Sequence, residues 1–171
     1  MMDNIQFDFN KWRKRILELR DQNTHNESLE FWKLVDMVQG MRNIDIARIL
    51  FQTFTNKPDH GVKESVVCAL ESFDVETYYR AYLEELPRLL KETQRTGWYY
   101  LQAYYPLGDI DRKDSDKLVC LVKSMPMETQ EAFIDIISDE DFKFDNEWAD
   151  YVLKRLEIQK TNALGEDENG R

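Results

Sequence analysis

Glycine and proline are scarce, with six and four copies in 171 residues, and β-branched residues rarely alternate with polar ones. Strand and hairpin signals are therefore nearly absent, and an all-α fold follows. Cysteine is limited to Cys68 and Cys120, without CxxC spacing. Each sits among apolar neighbours, Val66, Val67, Ala69 and Leu70 around the first and Leu118, Val119, Leu121 and Val122 around the second, so both are expected to be small buried thiols of a reducing compartment. Histidine is limited to His25 and His60, and no HExxH, HxH or triad arrangement can be written. Metal-dependent and nucleophilic chemistry have no footing, and neither a metal nor a cofactor is expected. Nowhere do ~18 apolar residues run together, and the first residues, MMDNIQFDFNKWRKR, are charged throughout. Neither a membrane span nor a secretory segment is expected, and the expected location is the cytoplasm. No GxxxxGK[ST] phosphate loop is present, and Arg13, Lys14 and Arg15 read as the outer side of an amphipathic helix.

Aromatic and acidic residues are what the chain does have. Nine Phe, eight Tyr and four Trp stand within a hydrophobic fraction of 42%, ample for one core without disulfide or metal staples. The formal charge of −10, from 33 acidic and 23 basic residues, repels phosphate backbones and anionic membranes and draws cationic partners inward. A basic protein partner is the natural inference, with plain solubility as the bland alternative.

Helical periodicity runs through most of the chain. Phe9, Trp12, Ile16 and Leu19 recur at three- and four-residue steps. Thr24 and Glu27 have capping-box spacing ahead of a helix from about Asn26 to Gln39 that carries Leu29, Phe31, Trp32, Leu34, Val35 and Val38, and Gly40 closes it. Asn43 opens a third helix. Asp59 is expected to cap a fourth near His60 and Gly61, whose broad apolar face makes it the candidate central helix. Asp74 caps a fifth, in which Pro87 should produce a kink or a restart near Leu86. Asp114 or Ser115 caps a helix holding Leu118 and Leu121, Pro126 lies in the first turn of the next, and Asp145 starts the last, with Trp148, Val152 and Leu156 inward. Residues 1–160 thus read as a single helical domain, an irregular HEAT- or armadillo-like stack of about nine antiparallel helices. Residues 161–171 read as a disordered acidic tail.

Two features remain as candidate contact surfaces. The loop DIDRKDSD carries Asp109, Asp111, Asp114 and Asp116; it is no calcium loop, since Lys113 fills the fifth position, Asp114 the sixth where glycine belongs, and Cys120 the twelfth where glutamate belongs. The stretch holding Trp98, Tyr99, Tyr100, Tyr104 and Tyr105 has more rings than one helix face can bury, so some are expected at the surface. Tyr104 and Tyr105 adjoin the acidic loop, which makes a joint aromatic and carboxylate patch the expected partner site.

The run HGVKESVVCALESF, then YYRAYLEELPRLL and GWYYLQAYY, resembles the small all-helical immunity proteins of bacterial polymorphic-toxin and contact-dependent growth inhibition systems, over about residues 30 to 140. The resemblance implies a non-enzymatic inhibitor that binds one cognate toxin domain, often a nuclease, with no nucleic acid or membrane as partner. A helical scaffold or adaptor binding a peptide or protein is the other class that fits the same composition.

Overall fold

The computed structural model describes residues 7–57, 61–104, 112–144 and 148–156. Among the described residues all regular structure is helical: α1 (Phe9–Glu18), α2 (His25–Asp36), α3 (Ile44–Gln52), α4 (Glu64–Glu71), α5 (Val75–Glu92), α6 (Trp98–Tyr104), α7 (Arg112–Ser124), α8 (Met127–Ser138), α9 (Glu140–Phe144) and α10, residues 148–156. None is long and apolar enough to cross a membrane.

Side-chain caps set most of the early helix starts. Asp8, Asn43 and Asp74 accept hydrogen bonds from the backbone N–H groups of Lys11, Asp45 and Thr77. At α2 the capping box is complete, because the Glu27 N–H donates to Thr24 Oγ1 at 3.2 Å while the Thr24 N–H donates to Glu27 Oε2 at 3.0 Å. Gly40, at φ +79°, then carries the chain away from α2 in the left-handed region that a Cβ disfavours. Hydrogen bonds from the Asn23 N–H and the Thr24 hydroxyl hold the Glu27 carboxyl below its usual range. The box is therefore fully formed above the ordinary glutamate pKa and is lost as pH falls through the lowered one. Thr24→Ala is expected to cost about 1 kcal/mol of unfolding free energy by urea titration, the usual range for a lost N-cap.

The buried apolar side chains form one cluster running from Trp12 to Leu156, and α5 is its axis. Tyr78, Tyr79, Ala81, Tyr82, Leu83, Leu86 and Leu89 are all buried, so α5 is covered around most of its circumference, by α3 on one side and by α6, α7 and α8 on the others. The expected central helix, α4, instead lies against α2 and α3. Arg88 ties α5 to the end of α3: its guanidinium donates to the carbonyls of Phe51 at 2.6 Å and Phe54 at 3.3 Å and is held by Glu85 and Glu92. A cation there meets the negative end of the α3 dipole and adds a second hydrogen bond to the Phe51 carbonyl, which also accepts from the Phe54 N–H at 3.2 Å.

Several expectations are corrected. Cys68 and Cys120 are both exposed. On a helix the residues one and two places away on either side lie about 100° and about 160° around the axis, so four apolar neighbours bury the side opposite the residue they flank. The fourth helix starts at Glu64 and not at His60, after a turn in which Gly61 takes φ +91°; its N-cap position is Lys63, without a side-chain cap bond. Asp59 and His60 lie outside the described residues. α5 runs through Pro87 without a restart. α7 begins at Arg112, so Asp114 and Ser115 stand in its first turn and not at its N-cap position, while Pro126 occupies the N-cap position of α8. Val152 and Leu156 are buried as expected and Trp148 packs partly buried against the core; Asp145 and the tail 161–171 lie outside the described residues.

Candidate functional site

The aromatic helix α6 is fastened to α5 by tyrosine hydroxyls. Tyr82 Oη donates to the Tyr99 carbonyl at 2.7 Å, Tyr78 Oη lies 2.9 Å from the Gln102 carbonyl and 3.0 Å from Gln102 Oε1, and Tyr79 Oη reaches the Ala103 carbonyl at 3.5 Å. Gly97, at φ +71°, and the buried Thr93, whose hydroxyl accepts from the Tyr99 N–H at 3.1 Å, set the turn before it. Trp98 then stacks on Phe54 with ring centroids 4.7 Å apart.

This mounting directs Tyr99 and Tyr100, both half-buried, toward α8. Tyr100 Oη donates to Asp139 Oδ1 at 3.3 Å, and its ring meets the edge of Phe142 at 5.5 Å. Between the rings, Leu90 of α5 and the carboxylates of Asp135 and Asp139 runs an open groove of about 350 Å³. The sequence of α8 contains neither lysine nor arginine. Its exposed side presents Glu128, Glu131 and Asp135 at three- and four-residue steps, continued by Asp139, Glu140 and Asp141. None of these six carboxylates belongs to an ion pair among the described residues. Carboxylates beside half-buried tyrosines are the chemistry anticipated for the loop after α6, here found one helix further on.

Of the residues expected in that loop patch, Tyr105, Asp109 and Asp111 lie outside the described residues, as does the side chain of Tyr104, which ends α6. Asp114 and Asp116 are described, and both have partners within the chain. Asp114 pairs with Lys117 at 2.7 Å, while Asp116 accepts from Tyr151 Oη at 2.8 Å and pairs with Arg155 at 3.0 Å, which ties α7 to α10. Asp116 also borders a cleft of about 590 Å³ between α5 and α7, whose mixed charges include the Glu76 and Arg80 pair. Such a mixture gives no single-sign field.

A helical stretch without lysine or arginine is the signal by which the α8 carboxylates could have been found in the sequence. Their adjacency to Tyr99 and Tyr100 depends on how α6 and α8 pack, which spacing along the chain does not encode. The third open groove, between α2 and α4, is bordered by His25, Leu29, Trp32 and Cys68. Its exposed rings and thiol stand where sequence reading sees only helix interiors. Among the described residues no group of three or more His, Cys, Asp or Glu side chains is placed to hold a metal ion. Comparison with protein-family models, curated proteins and solved structures gives no match for this chain.

Proposed function

We propose that this protein works by binding a basic protein domain, and that the domain is a cognate bacterial toxin, such as a nuclease, which it neutralises without chemistry of its own. The toxin identity comes from the resemblance of the α4, α5 and α6 sequences to immunity proteins. The observation that carries the binding reading is the unbalanced carboxylate face of α8 beside Tyr99 and Tyr100. A nuclease site must accept phosphate and is cationic, so an acidic cover meets it with charge-steered association, and half-buried tyrosines supply rigid anchors with a polar tip. With Asp114 and Asp116 engaged internally, the weight of the contact shifts to Glu131, Asp135 and the two tyrosines, while Asp109, Asp111, Tyr104 and Tyr105 stay as contacts proposed from the sequence.

The test begins with the neighbouring larger open reading frame: its C-terminal domain, expressed alone, should arrest growth, and this protein should restore it. Glu131→Lys with Asp135→Lys, both exposed, should then weaken binding of that domain at least about tenfold at low salt and by less at high salt, as screened charge pairs do. Asp109→Lys with Asp111→Lys tests the contacts proposed from the sequence in the same assay. Equal affinity of the α8 variant and the parent at both salt concentrations would remove α8 from the contact. Failure of the protein to restore growth would remove the toxin.

A further inference from the structure

Helix α2 is apolar on two sides. Phe31 and Val35 are buried in the core, yet Trp32 is 55% exposed and Leu29 42%, and Met37, at its C-cap, is 49% exposed. Three of the four large exposed hydrophobic residues among the described residues therefore belong to one helix and its cap. A helix with apolar sides front and back is normally covered on both.

The groove beside that outer face is about 430 Å³, with Leu29 and Trp32 on the α2 wall and Ser65 and Cys68 of α4, with Val62 of the preceding turn, on the other. His25, Leu29 and Trp32 follow four- and three-residue steps along α2, and Ser65 and Cys68 a three-residue step along α4, so the walls follow the helix axes and leave a trough between two neighbouring helices. A third helix laid lengthwise is the element that fits such a trough, its side chains at i, i+3, i+4 and i+7 entering it.

Charge decides what kind of helix. Glu64 borders the groove, Asp36 stands one turn beyond Trp32, and Glu71 stands one turn beyond Cys68. None of the three has an ion-pair partner among the described residues, whereas Glu30, Glu84, Glu85 and Glu92 are all paired with arginines. Lys33, the one cation of α2, acts on Glu30. A second copy of a chain with net charge −10 would set these unpaired carboxylates against one another.

We infer that the α2/α4 groove seats a cationic amphipathic helix of the partner, with apolar residues against Leu29 and Trp32 and lysine or arginine against Glu64, Asp36 and Glu71. It rests on the reading of the chain as a binding protein, and not on the partner being a toxin.

The two thiols supply the test. Cys68 lines this groove and Cys120 lines the separate α5/α7 cleft, so alkylation of the full-length protein, followed residue by residue, reports one site and a control. The probe is a synthetic helical peptide of leucine and lysine, about four turns long, with leucine at i, i+3, i+4 and i+7 spacing. At a concentration about ten times its Kd it should slow alkylation of Cys68 about tenfold by mass action, with Cys120 unaffected. Trp32→Ala should raise that Kd about thirtyfold, as truncation of an aromatic anchor does, and Leu29→Ser should weaken it in the same direction. Parent-like circular dichroism melts would show that both variants fold.

An unchanged Cys68 rate, equal protection of Cys120, equal protection by a leucine and glutamate peptide, or protection that survives Trp32→Ala would each overturn the inference. Protection that grows with protein concentration in the absence of peptide would replace it with self-association. These readouts do not involve Glu131 or Asp135, so the groove and the α8 contact stand or fall separately.

Discussion

Phe51→Ala is expected to lower the unfolding free energy by about 3–5 kcal/mol, the range for emptying a buried phenylalanine site. Phe51 is fully buried on α3, and its ring contacts Tyr78 edge-on at 5.2 Å, Tyr82 at 5.9 Å and Phe54 at 6.4 Å. Collapse around the void is resisted, because Tyr78 and Tyr82 are tethered through their hydroxyls to α6 and cannot follow the missing ring without breaking those bonds. Aromatic pairs add about 0.5–1.5 kcal/mol beyond buried area, which places this site toward the upper part of the range. Against a total of about 5–15 kcal/mol for a domain of this size, the loss is about a fifth or more. Urea unfolding should show a lower midpoint at unchanged slope, while Trp32→Ala on the exposed face should stay within about 0.5 kcal/mol of the parent. A midpoint for Phe51→Ala within that same margin would contradict the packing described for α3 and α5.

Alkaline pH should unfold the protein steeply. Burial pushes the phenols of Tyr78, Tyr79 and Tyr82 well above the usual tyrosine range, with neighbouring tyrosines adding in the same direction and Glu71 also acting on Tyr78. A folded-state pKa above the unfolded one means that the folded chain holds its protons longer. The stabilisation is complete below the ordinary phenol pKa of about 10 and is lost as pH rises past it toward the raised folded values. Each phenol then contributes a slope of about 1.4 kcal/mol per pH unit, so three together give about 4 kcal/mol per unit, enough to exhaust a typical domain's stability within about one to four units. Phenolate absorbance from the buried three should therefore appear above the ordinary phenol range, in a step that coincides with loss of helical circular dichroism. Tyr78→Phe should make that step shallower by one proton. Titration of Tyr78, Tyr79 and Tyr82 near the ordinary value with the helices intact would contradict their burial.

Helix content and caps were largely readable along the chain because they are local. Thr24 with Glu27, Asn43 and Asp74 each act within three residues, and Trp12, Ile16 and Leu19 declare an inward face by spacing alone. What failed depended on direction around an axis or on distant packing. Cys68 and Cys120 looked buried because their neighbours are apolar, although at helical spacing those neighbours define the opposite side. α4 looked central because of its apolar content, but centrality follows from how many helices surround an element, and α5, with seven buried residues among polar ones, has more of them around it. Pro87 lies on an exposed side of α5, where packing on the opposite side holds the helix through it. The acidic loop was legible as charge, yet Asp116 is held by a tyrosine and an arginine 35 and 39 residues onward, beyond any local pattern.

The hydroxyl donors of α5 also restrict how α6 can slide. Tyr78, Tyr79 and Tyr82 meet carbonyls at residues 102, 103 and 99, so donors and acceptors are matched at three separate points. A slip of one residue moves a helix about 1.5 Å along and about 100° around its axis, which would detach all three contacts together and leave polar atoms stranded in an apolar interior. α6 is thereby indexed like a key against its wards, and the two rings it carries toward α8 keep a fixed height over the carboxylates.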